Sequence, residues 1–331
     1  MRATTLVLCL LLPVQEEAIQ KGTAPCRALR PSLDPELRKL LARFEFAEKE
    51  FPWQLKPLKD GDRVAVSWLT FPSAVQGELE ENNTAWAKYW HPKEEAAGRR
   101  PAALLLHWLG GRYDTLEIIG QRLAENGVPA LLLYLPHYGP RAAKDRSRRE
   151  ELLGADLERS FANLRQAVLD VRRAGDWLAS RPWIEPSRVG IVGVSLGAIV
   201  GALSAGVDDR FGRSVFIIGG GDLAAIVFHG SKETSLQKRK LEEAGVTPER
   251  FRELSRGVEP LTYASRLRPE EILMINAESD EVIPRDSTLR LHEAAGRPEI
   301  RWFKGGHTAV VFMLGPVLKD ILAHLGRRTE Y

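Results

Sequence analysis

The chain has 331 residues, 44% hydrophobic and 27% charged, which supplies a full core and excludes a disordered chain. Its 47 Lys and Arg nearly balance 44 Asp and Glu, for a net charge of +3, so neither a nucleic-acid binder nor an acidic tail is expected. Only two cysteines, Cys9 and Cys26, are present, which excludes a disulfide framework and a cysteine zinc cluster.

The opening MRATTLVLCLLLPV carries one basic residue and an apolar run of signal-peptide length, far short of a membrane span. No A-x-A cleavage site follows it, and Cys9 lies inside the run rather than in a lipobox. An exported chain and a cytoplasmic one both stay open. Residues 1–25 are expected to be a signal peptide or a disordered terminus, and 26–61 an N-terminal extension.

From residue 62 strand-like and helix-like stretches alternate. Residues 63–71 and 84–92 suggest an antiparallel hairpin rich in Val and Trp. Six further strands are expected at 102–108, 129–136, 188–194, 214–220, 271–278 and 300–305, each a nearly continuous apolar run of the kind a sheet buried on both faces requires. Helices are expected between them, for example at 115–127, closed by Gly127, and at 161–182, stopped by Pro182.

The expected fold class is therefore α/β: one domain over 62–331, with a mostly parallel eight-stranded sheet and helices on both faces. Residues 137–160 form a long polar loop, and 221–268 a helical insertion. Such insertions at strand ends are more often lids or substrate walls than linkers. The basic run RSRRE at 146–150 suits a solvated helix start.

The chemistry concentrates at Gly193-Val194-Ser195-Leu196-Gly197, a G-x-S-x-G between an apolar strand and a small-residue helix. In that context the serine sits on a sharp turn with its hydroxyl exposed, and the amide of Leu196 opens a helix where it can donate to an oxyanion. The spacing of Gly190, Gly193 and Gly197 is not G-x-G-x-x-G, and no G-x-x-x-x-G-K-[ST] occurs. No dinucleotide, metal or other cofactor is expected.

A serine hydroxyl needs a base, and the base needs a carboxylate to orient it. Asp280 stands a few residues past a strand, in AESDEVIP, with Glu278 and Glu281 as competitors. His307 follows two glycines in the last loop before the C-terminal helix. Of seven histidines it alone follows both Ser195 and Asp280 on a loop at a strand's carboxyl end. A second oxyanion donor is expected from His107-Trp108-Leu109-Gly110-Gly111, whose Leu109 amide would lie beside that of Leu196, while His107 suits a structural hydrogen bond. Trp108, Tyr138 and Arg141 are candidate substrate contacts, the latter two in a loop leaving a strand's carboxyl end.

These segments resemble the α/β-hydrolase superfamily, nearest to dienelactone-hydrolase and acyl-thioesterase-like serine esterases. The resemblance covers about residues 60–328 and is carried by HWLGG, by WIEPSRVGIVGVSLGA, by AESDEVIP and by the Gly-Gly-His before the last helix. Trp108 departs from the glycine usual at its position in lipases and esterases. Dienelactone hydrolases use cysteine, whereas Ser195 here favours ester chemistry. The resemblance implies a serine hydrolase acting on a small-molecule acyl substrate through an acyl-enzyme. A thioesterase or peptidase of the same fold, and a binding protein that has lost catalysis, are the alternatives.

Overall fold

The computed structural model describes residues 18–94, 98–111, 113–144, 156–230 and 234–326. Among these residues ten strands form one sheet: β1 (Gln20–Pro25), β2 (Glu50–Asp60), β3 (Val64–Pro72), β4 (Thr84–Pro92), β5 (Arg100–Leu106), β6 (Ala130–Leu133), β7 (Ile184–Val194), β8 (Ser214–Ile217), β9 (Ile272–Ala277) and β10 (Glu299–Phe303). Their spatial order is β1-β2-β3-β4-β6-β5-β7-β8-β9-β10. The pairings from β1 through to β6 are antiparallel, and those from β6 through to β10 are parallel.

The sheet is thus mixed, with ten strands rather than the expected mostly parallel eight. The two additional strands, β1 and β2, come from the stretch expected as terminus and extension. Their sequence conceals them: β2 carries Pro52 and Pro57, and its pairing with β3 slips between Pro57 and Lys59. Proline removes a ladder donor, so such a strand lies near a sheet's edge and accommodates a bulge.

Among the described residues ten α-helices lie between and after the strands: α1 (Pro35–Leu41), α2 (Asp114–Glu125), α3 (Leu157–Ala179), α4 (Leu196–Val207), α5 (Leu223–His229), α6 (Ser235–Glu243), α7 (Pro248–Ser255), α8 (Pro260–Tyr263), α9 (Arg285–Ala294) and α10 (Leu314–Gly326). Helix α3 begins at a true N-cap, Asp156 accepting from the Arg159 amide, and stops before Pro182. The stretch 221–268 holds α5 to α8. The basic run 146–150 and the whole of the N-terminal apolar run fall outside the described residues.

Two apolar layers cover the central strands, as the period of two requires. On β5, Ala102, Leu104 and Leu106 face the layer of α3 and α4, while Ala103 and Leu105 face that of α2 and α10. β6 divides likewise, Leu131 and Leu133 against Ala130 and Leu132. Both faces being covered, these strands carry no polar face, and every side chain of Ala102–Leu106 is buried. The parallel strands end together on one side of the molecule, where an open α/β sheet places its ligands.

Candidate active site

Strand β7 ends at Val194 and helix α4 begins at Leu196, so Ser195 makes the whole connection. Its backbone stands at φ 53°, ψ −115°, a conformation that costs a non-glycine residue of order 1–3 kcal/mol. The bond from the Ser195 amide to the Ile217 carbonyl at 2.9 Å holds that bend against β8. The flanking glycines are steric necessities. A Cβ on Gly193 would lie 2.1 Å from the Gly197 carbonyl oxygen, and one on Gly197 would lie 2.1 Å from that of Leu106. The turn therefore lets α4 cross directly over the end of β5.

The Ser195 Oγ lies 2.8 Å from His307 Nε2. His307 opens a short 3-10 turn, His307–Val311, reached from β10 through Gly305 at φ 121°. Its Nδ1 lies 2.8 and 2.9 Å from the two Asp280 carboxylate oxygens. Asp280 is itself anchored: its Oδ1 accepts from the amides of Val282 and Ile283 at 2.9 and 2.8 Å.

Glu281, the neighbouring competitor, has a different task. Its Oε2 accepts the backbone amide of His307 at 3.0 Å. Sequence proximity made Glu281 a rival of Asp280, and only the fold reveals that one carboxylate takes the ring and the next the backbone of the same histidine. Ser195 is buried, with 5% of its surface exposed. His307 is partly open, its side chain 12% exposed against 6% for Asp280.

Beyond β5 the chain leaves the sheet at His107 and turns through Gly110 at φ 88° and Gly111 at φ 68°. Both glycines are needed for those angles. The Leu109 side chain is exposed and Trp108 half-buried against the α2 and α10 layer. At the other wall, Leu196 supplies the first amide of α4, which has no carbonyl one turn earlier to accept it.

His107 is fully buried. Its Nε2 accepts from the Leu135 amide at 3.1 Å, and its Nδ1 lies 2.9 Å from the Trp108 carbonyl oxygen. Burial pushes its pKa down to about 4. The rings of Tyr113 and Tyr138 meet it edge-on at centroid distances of 5.0 and 4.7 Å.

Arg141 requires a correction. Expected as a substrate contact, it is fully buried and pairs with Asp170 at 2.8 Å. It also donates to the carbonyls of Tyr134 and Asn82. A guanidinium so enclosed ties the loop after β6 to α3 and the chain before β4, and cannot meet a ligand. Tyr138 is half-buried, with its ring against that of His107.

The family model described as the prolyl oligopeptidase family matches residues 158–304. An uncharacterised protein of Mycobacterium tuberculosis is 27% identical over 202 residues, which is 61% of this chain and 47% of that one. The chain thus spans about half the length of the curated relatives it matches. Among solved structures, an acetyl xylan esterase from Paenibacillus sp. R4 superposes with a TM-score of 0.66 at 18% identity, over 90% of this chain and 96% of its own. Acetyl xylan esterase 1 from Thermoanaerobacterium sp. JW/SL YS485 gives 0.65 at 18% identity, over 91% and 96%. These superpositions show that the chain has the α/β-hydrolase fold.

Proposed function

We propose that this chain is a serine hydrolase that cleaves a carboxylic ester through an acyl-enzyme intermediate. The observation that carries the reading is the continuous relay Ser195 Oγ to His307 Nε2 at 2.8 Å and His307 Nδ1 to Asp280 at 2.8 Å. Ser195 attacks the acyl carbon while His307 takes its proton. Asp280 holds the imidazole with its other nitrogen protonated and stabilises the imidazolium that forms. The amides of Leu196 and Leu109 are the donors to the tetrahedral oxyanion. His307 then protonates the leaving alcohol, and water repeats the sequence to release the acid.

Trp108 and Tyr138 are the candidate substrate contacts. The helical stretch 221–268, which follows the carboxyl end of β8, is the candidate substrate wall. Two solved structures of similar fold bear names that specify acetyl xylan esterases, which makes a short acyl group on a carbohydrate the first substrate to try. The prolyl oligopeptidase description of the matched segment favours a second reading, peptide cleavage by the same residues.

One experiment decides between these. A fluorophosphonate probe should label the protein and leave Ser195→Ala unlabelled, and p-nitrophenyl esters should be turned over where aminoacyl anilides are not. Absence of labelling in folded protein would leave a binding protein with a hydrolase fold, and turnover of the anilides alone would establish the peptidase.

A further inference from the structure

His107 is bound on both ring nitrogens, and the chemistry of its partners determines its tautomer. The Leu135 amide can only donate, so Nε2 must accept, at 3.1 Å. A neutral ring then carries its proton on Nδ1. Burial, with pKa lowered to about 4, keeps the ring neutral in ordinary buffers. The Nδ1–H accordingly donates to the Trp108 carbonyl oxygen at 2.9 Å.

That carbonyl belongs to the peptide joining Trp108 to Leu109. In a trans peptide the carbonyl oxygen and the amide hydrogen point to opposite sides of one rigid plane, and none of the described peptide bonds is cis. Holding the oxygen toward the buried ring therefore turns the Leu109 N–H away from it. Local chain stiffness cannot do this: β5 has ended at Leu106, and two glycines at positive φ follow.

We propose that His107 is a positioning residue: it fixes the plane of the Trp108–Leu109 peptide and so aims the Leu109 N–H at the oxyanion formed on Ser195. The assignment rests on the serine-hydrolase reading above. Leu135, on the adjacent chain after β6, acts through the ring by selecting the tautomer. Tyr113 and Tyr138 both pack edge-on against the ring.

Two substitutions separate aiming from mere filling. In His107→Asn the side-chain amide nitrogen takes the place of Nδ1 and keeps the donor to Trp108, while Leu135 loses its acceptor. In His107→Gln an oxygen takes the place of Nε2 and keeps the acceptor, while the Trp108 carbonyl loses its donor. Each variant gives up one buried hydrogen bond, so their thermal midpoints should fall by similar amounts.

Their turnover should differ. Loss of an oxyanion donor typically costs about 10² to 10³ in kcat, so His107→Gln should fall at least about tenfold below His107→Asn in kcat, with KM nearly shared. Equal kcat values, or the reverse order, overturn the proposal. Should the variants not fold, ¹⁵N-histidine NMR of the wild-type protein tests the same assignment: a His107 ring protonated at Nδ1 and bare at Nε2 supports it, and the opposite tautomer overturns it. Ser195-dependent turnover of wild type accompanying a failed test sinks the aiming role alone. Absence of that turnover sinks the hydrolase reading and this proposal with it.

Discussion

The backbone at Ser195, φ 53° and ψ −115°, is a local cost that the surrounding contacts must offset. The bond to the Ile217 carbonyl and the close approach of α4 to β5 at Gly197 do so. Replacing Gly197 with Ala places a Cβ against a backbone oxygen rather than a flexible side chain, so α4 must shift from β5. Overpacking of this kind costs about 1–3 kcal/mol. Gly197→Ala should lower the urea midpoint accordingly and reduce turnover more steeply than stability; an unchanged midpoint would show that the turn has room the contacts deny. At Asp280 the expected effect is kinetic. Asp280→Asn can offer its amide hydrogens to His307 Nδ1 and so favours the wrong tautomer, which in serine proteases costs about 10⁴ in kcat. Stopped-flow or steady-state ester hydrolysis checks this, and retention of more than a tenth of the activity would remove Asp280 from its proposed role.

Between elements, the buried pair Arg141–Asp170 connects the loop after β6 to α3. Asp170 also accepts from Ser73 Oγ at 2.8 Å, and Gln166 and Asn82 of the same neighbourhood are joined at 2.9 Å. Removing one member of such a pair leaves the other charge enclosed and uncompensated, at a cost of about 3–5 kcal/mol. Asp170→Ala should therefore be among the more destabilising single changes in the chain, measured by chemical unfolding. Arg141→Met, which keeps an unbranched apolar stem but leaves Asp170 uncompensated, should likewise lower stability while leaving KM for small esters unaltered. A large rise in KM without loss of stability would return Arg141 to the ligand.

Across the whole molecule, two buried groups give opposite slopes of stability against pH. His107 has its pKa lowered from 6.5 to about 4 by burial. Its unfolded form binds the proton first, so the stability it contributes is present above about pH 6.5 and is lost as pH falls toward 4. Each unit in that window is worth at most about 1.4 kcal/mol. Asp176 runs the other way. Desolvation raises it from 3.8 to about 6, against the pull of Arg210. The folded state then takes the proton first, and stability rises as pH falls through that window. Asp176→Asn removes the opposing slope, so unfolding free energies between pH 6 and 4 should fall more steeply than in wild type; parallel curves would count against the raised Asp176.

Arg172 connects this network to the N-terminal segment, donating to Asp208 at 2.9 Å, to the Phe44 carbonyl and to that of Arg27 at 2.7 Å. Asp176 accepts the Arg27 amide at 2.9 Å. Acid titration thus acts on the attachment of the same chain that supplies β1 and β2.

Much of this was legible in the residue order. Apolar runs marked the central strands because a sheet covered on both faces admits little else, and the glycines at 193 and 197 marked a turn that no side chain could enter. The order serine, carboxylate, histidine at strand ends could be read for the same local reason. What required the tertiary structure were choices between residues with identical local signals. Asp280 and Glu281 are adjacent carboxylates, separated in role only by how His307 approaches them. Arg141 resembles a ligand contact until Asp170, 29 residues away and on another element, takes its charge. β1 and β2 have weak patterns of their own and become strands by pairing with each other and with β3. The His107 tautomer depends on Leu135, which the chain's local chemistry does not place. Period and turn sterics act over a few residues and are written in sequence; partnership between distant charges and edges exists only once the chain has closed on itself.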